Sequence, residues 1–207
     1  RWQAGWGEEP DHDDEPMVMP DRAWVYRVQL GLGRSARGIQ DRLAKFAAEG
    51  DTSSERGLAS LLQQTGLELM REKDSIRYAL AEADGPMSLG NGETKMNALA
   101  LAERSRFQVE RVRGAEGQVR KSDAAAVTGA EALEYIVVTV IVATRQPIPD
   151  WKNDLRERSD LDGLLGQLGG VAPSGLLGLE VIWTPADPDD SLTETDVLTT
   201  YHAMRSI

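Results

Sequence analysis

The chain contains no cysteine, only two histidines, and an aromatic content of 5%. Without cysteine there is no disulfide framework, no thiolate zinc site and no cysteine nucleophile. With so few aromatics, a core has to be built from Leu, Val, Ile and Ala. No apolar run is long enough to span a bilayer: the longest, YIVVTVIVA at 135–143, is about half of the roughly 20 residues a spanning helix needs. Also missing are the signatures G-x-S-x-G, H-E-x-x-H, the P-loop, and S-x-x-K with its companions, so no enzyme class is indicated. The expectation is a non-enzyme without cofactor. Positive charge is scarce too. The net charge is -11 and the pI about 4.7, a field that repels phosphate backbones and argues against nucleic acid as a partner.

What is present fits one domain. The 207 residues, 41% of them hydrophobic, suffice for a single core. Residues 1–22, RWQAGWGEEPDHDDEPMVMPDR, carry seven acids and three prolines with no apolar period, and read as an acidic linker or juxtamembrane segment. His12 lies there among Asp11, Asp13, Asp14 and Glu15. These hard oxygen ligands have no fixed geometry, so a solvated linker is the simpler reading and no metal site is assigned. Beginning at Arg1, the chain reads as a fragment whose anchor has been removed.

From residue 23 to 207 the pattern is that of an α+β domain. Ala23–Leu32 alternates, with Val28, Leu30 and Leu32 on one face and Arg27 and Gln29 on the other, which predicts a strand. Arg34–Glu49 has Ile39, Leu43 and Phe46 at helical spacing. Thr52 with Glu55 reads as a capping box for a second helix whose stripe is Leu58, Leu61, Leu62, Thr65 and Leu69. Ser75–Ala81 extends that helix or forms a strand, the strand being favoured. GPMSLGNGE at 85–93 reads as a turn and Thr94–Arg104 as helix, while Arg106–Val112 fits either helix or strand. Gly114–Gly129 reads as a loop. Glu134–Thr144, β-branched on both faces, predicts a central strand covered on both sides. Leu161, Leu164, Leu165 and Leu168 mark a short helix stopped by Gly169 and Gly170. Leu177, Leu179, Val181 and Trp183 line one face of a last strand, and Ser191 with Glu194 caps a final helix. Two helices in a row after the first strand interrupt a regular β–α alternation. The expectation is therefore a mixed, mainly antiparallel sheet of three to five strands packed with helices.

Three stretches invite a functional reading. VQLGLGRSARG at 28–38 contains G-x-G-x-x-A, the form of a dinucleotide-binding turn. That turn needs a parallel βαβ unit and an acid at the end of the second strand. Asp51 has the right distance but lies between two helices, so the nucleotide reading fails. A narrower one remains, in which Gly31, Gly33, Arg34 and Arg37 at a helix start hold an anion. The basic segment carrying Arg104, Arg106, Arg111, Arg113, Arg120 and Lys121, set against Glu103, Glu110 and Glu116, is a candidate contact for a membrane protein or an anionic membrane surface, its plain alternative being a solvated face with local ion pairs. LASLL at 58–62 resembles a partner-docking motif, but its period runs on to Leu69, which favours core packing. His202 lacks an orienting partner in sequence, and a surface position is expected. Oligomeric state is left open.

Five blocks in order carry a further resemblance: VQLGLGRSARGIQDRL at 28–43, DTSSERGLASLLQQTGLELMR at 51–71, LALAERSRF at 99–107, EYIVVTVIVAT at 134–144 and LGLEVIWTPADPDDSLTETDVLTTY at 177–201. In these the chain resembles a family of uncharacterised membrane-anchored proteins of cyanobacteria, plastids and other bacteria that includes the plant fluctuating-light acclimation protein. The resemblance implies membrane association through a segment absent from this chain, with Trp2 and Trp6 near the membrane surface, and a link to photosynthetic membranes and photoprotection. It implies no catalytic residue. The function expected on these grounds is a membrane-tethered interaction or regulatory domain, with an anion-binding domain as the alternative and an enzyme of unrecognised type last.

Overall fold

The β-branched run at 134–144 organises the sheet. In the computed structural model, which describes residues 21–36, 38–116 (backbone alone for 107–116), 134–187 and 189–207, it forms β3 (Glu134–Thr144), buried along almost its whole length. Three other long strands are β1 (Arg22–Gly33), β2 (Ile76–Ser88) and β4 (Leu176–Thr184). Two short ones, β5 (Leu192–Thr193) and β6 (Arg205–Ser206), complete a six-stranded sheet ordered β4-β3-β1-β2-β6, with β5 pairing β3 at Glu134 and Tyr135. Every pairing is antiparallel. The α+β architecture and mainly antiparallel sheet are as expected. Beyond the four long strands, β5 and β6 are two-residue pairings too short to leave a period in sequence.

The two faces of β1 are covered by different helices. Tyr26, Val28, Leu30 and Leu32 lie in the main core with Ile39 and Leu43 of α1 (Gly38–Glu49), Leu62 and Leu69 of α2 (Glu55–Arg71), and Leu161, Leu164, Leu165 and Leu168 of α4 (Arg158–Gly169). The opposite face is divided. Val25, Ile141 and Ala143 pack with Ala100 of α3 (Leu89–Glu116), whereas Tyr135 and Val137 pack with Val197 of α5 (Glu194–Thr200), Tyr201 and Met204.

Several local expectations are corrected. Segment 85–93 is the end of β2 and the first turn of α3, not a turn. The strand runs on because it bulges: between Ala23 and Val25 of β1, β2 advances from Met87 to Asp84, one residue more. Gly85 has φ +143° there, a conformation that suits glycine and lets the strand pass Trp24. Residues 106–112 continue α3. Ser54, not Thr52, caps α2, accepting from the Gly57 N–H at 3.0 Å, because the Asp51 carboxylate gathers the Ser53 N–H and both serine hydroxyls and sets the turn two residues later. Thr193 with Asp196, not Ser191 with Glu194, forms the capping box of α5, since Leu192 and Thr193 are first held against β3. A second bulge shifts the register between Ala143 and Thr144 and turns Leu177 away from Leu179, Val181 and Trp183 to join the cluster under α3. Of the loop expected at 114–129, residues 114–116 are helical and the rest lie outside the described residues, as do residues 1–20 of the expected 1–22 linker, His12 among them, while Arg22 already opens β1 by pairing with Ser88.

Candidate interaction site

The glycine turn comes first. β1 is followed by two helices and then by antiparallel β2, so no parallel βαβ unit surrounds it. Gly31 sits opposite Tyr78, and a Cβ there would lie 3.1 Å from the Tyr78 Cβ, so Gly31 lets the aromatic ring lie close across the strand. Tyr78 donates its hydroxyl to Glu194 and meets Tyr135 edge-on, ring centroids 5.5 Å apart. The hydrogen bond to Glu194, followed by burial, pushes the Tyr78 hydroxyl well above the usual tyrosine range. At Gly33 a Cβ would find ordinary space. Arg34 already faces a counter-ion, the Glu134 carboxylate at 3.2 Å. Arg37 lies outside the described residues.

The basic segment is split in the same way. Arg104 reaches Glu180 of β4 at 2.8 Å. Arg106 donates to the Thr200 carbonyl at 3.2 Å and stacks over Tyr201, 5.2 Å from its centroid. Both tie α3 to its neighbours. Arg111 and Arg113 lie on α3 within the stretch where only the backbone is described, and Arg120 and Lys121 lie outside the described residues. His202 is exposed, and Asp196 is engaged in capping α5.

Beneath α3 lies a polar cluster the sequence did not announce. Glu103 is 2% exposed, and with it Gln29 of β1 and Thr139 of β3 are buried. The Gln29 amide donates to Glu103 Oε1 at 2.8 Å and to Thr139 Oγ1 at 3.3 Å. Arg27 and Arg106 stand 3.6 and 3.9 Å from the same carboxylate, and Arg27 also pairs with Glu82 of β2. Burial pushes the Glu103 carboxyl above its ordinary value, outweighing Arg106 and then Arg27, which pull it down. This is a sealed network that registers α3 on the sheet. Its one advance signal was a lone acid among the alanines and leucines of LALAERSRF, and the partners come from distant strands, Gln29 lying 74 residues away in sequence.

At the outer strand β4 lies a groove of about 440 Å³ between that strand, α1 and α2, with Met96 of α3 reaching it over Gly178. Its walls are Leu43 and Phe46 of α1, Leu58 and Leu61 of α2, and Val181 and Trp183 of β4. LASLL packs as core, with Leu62 and Ala59 in the main cluster and Leu58 against it, and Leu58 and Leu61 also line the groove. The one ionisable residue lining it is Glu180, whose charge is met by Arg104. Among the described residues no group of His, Asp and Glu is arranged to hold a metal, and no helix is long and apolar enough to cross a membrane.

A family model described as a protein of unknown function (DUF1517) matches residues 22–207, from the first residue of β1 onward. The chain belongs to this family. Among its relatives, Protein FLAP1 homolog A from Synechocystis is 31% identical over 193 residues, covering 88% of this chain and 56% of that protein. The fluctuating-light-acclimation protein 1 of Arabidopsis, a chloroplastic protein, is 27% identical over 206 residues, covering 99% of this chain and 52% of its own length. The chain thus spans about half the length of the curated relatives it matches. No solved structure matches it. The family expected from the five sequence blocks, with its cyanobacterial and plastid members, is the one found.

Proposed function

We propose that this DUF1517 domain is a non-enzymatic interaction module, tethered to a membrane by sequence outside the matched region, that docks a partner protein in the groove between α1, α2 and β4. One observation carries the proposal: the groove and the buried titratable cluster are separate, neither Glu103 nor its partners Gln29 and Thr139 lining the groove. The groove is walled by Leu, Phe, Val and Trp side chains, while the buried carboxylate Glu103 is closed beneath α3. A catalytic site brings a shaped cavity and perturbed groups together; an apolar groove by itself suits docking. The name of the plant relative, a chloroplastic fluctuating-light-acclimation protein, supports a role in acclimation to changing light; a place at photosynthetic membranes and the tether rest on the family resemblance.

A photo-crosslinking residue placed at Phe46, in the protein as encoded by its gene and expressed in its own cells, tests this reading. The expected result is one discrete adduct in the membrane fraction, absent when the same residue replaces Leu67, which is 53% exposed on α2. Absence of the protein from the membrane fraction, or equal adducts from both positions, would overturn it.

A further inference from the structure

The sheet has two edges, and they are built differently. Beyond its two-residue pairing with β6 at Tyr78 and Ala79, the outer side of β2 carries Glu82, Asp84, the positive-φ Gly85 and Pro86. Charge, a bulge and a residue without an N–H are the devices by which natural sheets refuse a further strand. On β4 the bulge lies at the start, where Leu176 to Gly178 shift against Ala143 and Thr144, and Pro185 follows the end; the stretch from Leu179 to Thr184 carries neither. LLGLEVIWT contains no proline, lysine or arginine, its single charge is met by Arg104, and Leu177 to Trp183 are half-buried throughout. Its inner side pairs with β3 from Val137 to Thr144. Among the described residues no strand lies on its outer side.

The groove runs along this open edge, and its rim is acidic. Directly after β4 come Asp187, Asp189 and Asp190, joined to the groove's other wall by the Gln40 side chain of α1, which donates to the Pro185 carbonyl at 2.6 Å. The α1–α2 turn between the lining residues Phe46 and Leu58 adds Glu49 and Asp51. None of these five carboxylates is ion-paired among the described residues, and the cations on the same stretch of chain are Lys45 and Arg56.

We propose that β4 is a strand-addition site: an extended segment of a partner protein, apolar at every second position and flanked by lysine or arginine, pairs with the outer edge of β4. Main-chain hydrogen bonds to β4 hold the segment, alternate side chains fill the groove beside Val181 and Trp183, and the flanking cations meet Asp187, Asp189, Asp190, Glu49 and Asp51. A second copy of this chain is the poorer occupant, because it brings another net charge of -11 to the same edge. The inference rests on the docking function above and specifies its mode.

The test uses the isotopically labelled chain and a synthetic peptide of alternating valine and threonine with two lysines at each end. The expected result is binding, with amide shifts and slowed amide exchange concentrated at residues 176–184. The same core flanked by glutamates, or with its central valine replaced by proline, binds weaker by about tenfold or more. Val181→Lys places a guarding charge on the edge; it abolishes binding while circular dichroism shows the fold retained, and Leu67→Lys leaves binding unchanged. Equal binding of the proline peptide, shifts lying elsewhere, no binding by the lysine-flanked peptide, or dimerisation that protects β4 in its absence would each overturn strand addition. A specific adduct at Phe46 together with a negative peptide result would leave the docking function standing and remove this mode of it. Loss of the Phe46 adduct would remove both.

Discussion

Glu103 offers the most exacting check on how the second sheet face is held. Glu103→Ala removes the carboxylate that accepts from Gln29 at 2.8 Å and stands between Arg27 and Arg106. Leaving the buried Gln29 amide without its acceptor costs about 1–3 kcal/mol, and the cavity left beneath α3 adds to it. The lost charge adds little, because Arg27 keeps Glu82 at 3.0 Å and Arg106 keeps the Thr200 carbonyl and the Tyr201 ring. A loss of about 3 kcal/mol corresponds to a fall in Tm of roughly 6–12 °C for a domain of this size. Glu103→Gln keeps an acceptor for Gln29 without the charge, and stays within about 1 kcal/mol of the parent at neutral pH. The two proteins then differ in their response to pH. Because burial raises the folded-state value of Glu103 above its ordinary 4.5, its favourable contribution is fully present below about 4.5, where folded and unfolded chains both hold the proton. It is lost as pH rises through the folded value. The stability of the parent relative to Glu103→Gln therefore falls on going from pH 4 towards neutrality and then levels off. Urea unfolding at a series of pH values reads this directly. If Glu103→Gln drops as far as Glu103→Ala at neutral pH, or if the difference runs the other way, charge pairing rather than burial governs the cluster.

Other outcomes are equally specific. Gly85→Ala meets Trp24 at 2.6 Å in a positive-φ conformation and is expected to cost about 1–3 kcal/mol. Gly163→Ala, exposed within α4 with open space at its Cβ, is expected to gain about 0.4–1 kcal/mol, both read by thermal unfolding. The Asp51 carboxyl, held down to about 2 by the Ser53 and Ser54 hydroxyls and the Ser53 N–H, titrates near that value in carbon-detected NMR. The stability this turn confers is present above the ordinary aspartate range and is lost as pH falls through about 2; Asp51→Asn removes that low-pH step. Because Arg34 is already met by Glu134, inorganic phosphate, ATP and NAD at millimolar concentration leave the melting temperature unchanged; a concentration-dependent rise abolished by Arg34→Ala would restore an anion site at the 31–37 turn.

Elements whose pattern is continuous were legible in the sequence. The unbroken β-branched run gave β3 to the residue, and the leucines closed by Gly169 and Gly170 gave α4, because burial on both faces and a helical stripe leave periods that local reading detects. What long-range pairing decides was not legible. β2 continues through Gly85 and Pro86 only because β1 lies alongside to impose a bulge, and Leu177 changes face only because β3 and β4 slip by one residue near Thr144. Caps moved by two residues where Asp51 or the β3 pairing took the competing groups. At the candidate sites, the alternation of β1 correctly put Arg27 and Gln29 on one face but gave no sign that α3 covers it, since Glu103 is brought there by the chain's return. The groove was not visible. LASLL reads as core packing rather than as a docking motif, so its sequence assigns neither Leu58 nor Leu61 to a groove, and the other wall, β4, reads as an ordinary strand until its position at the sheet edge is known.

The central claim is that the β4 edge and its groove receive a partner. Amide hydrogen exchange followed by mass spectrometry, on the protein as encoded by its gene in its native membranes and on the isolated 207-residue chain, measures this most directly. Slower exchange is expected in the membranes across residues 176–184 and across the groove-facing turns of α1 and α2, with β2 unchanged. Identical exchange at β4 in the two preparations would contradict it.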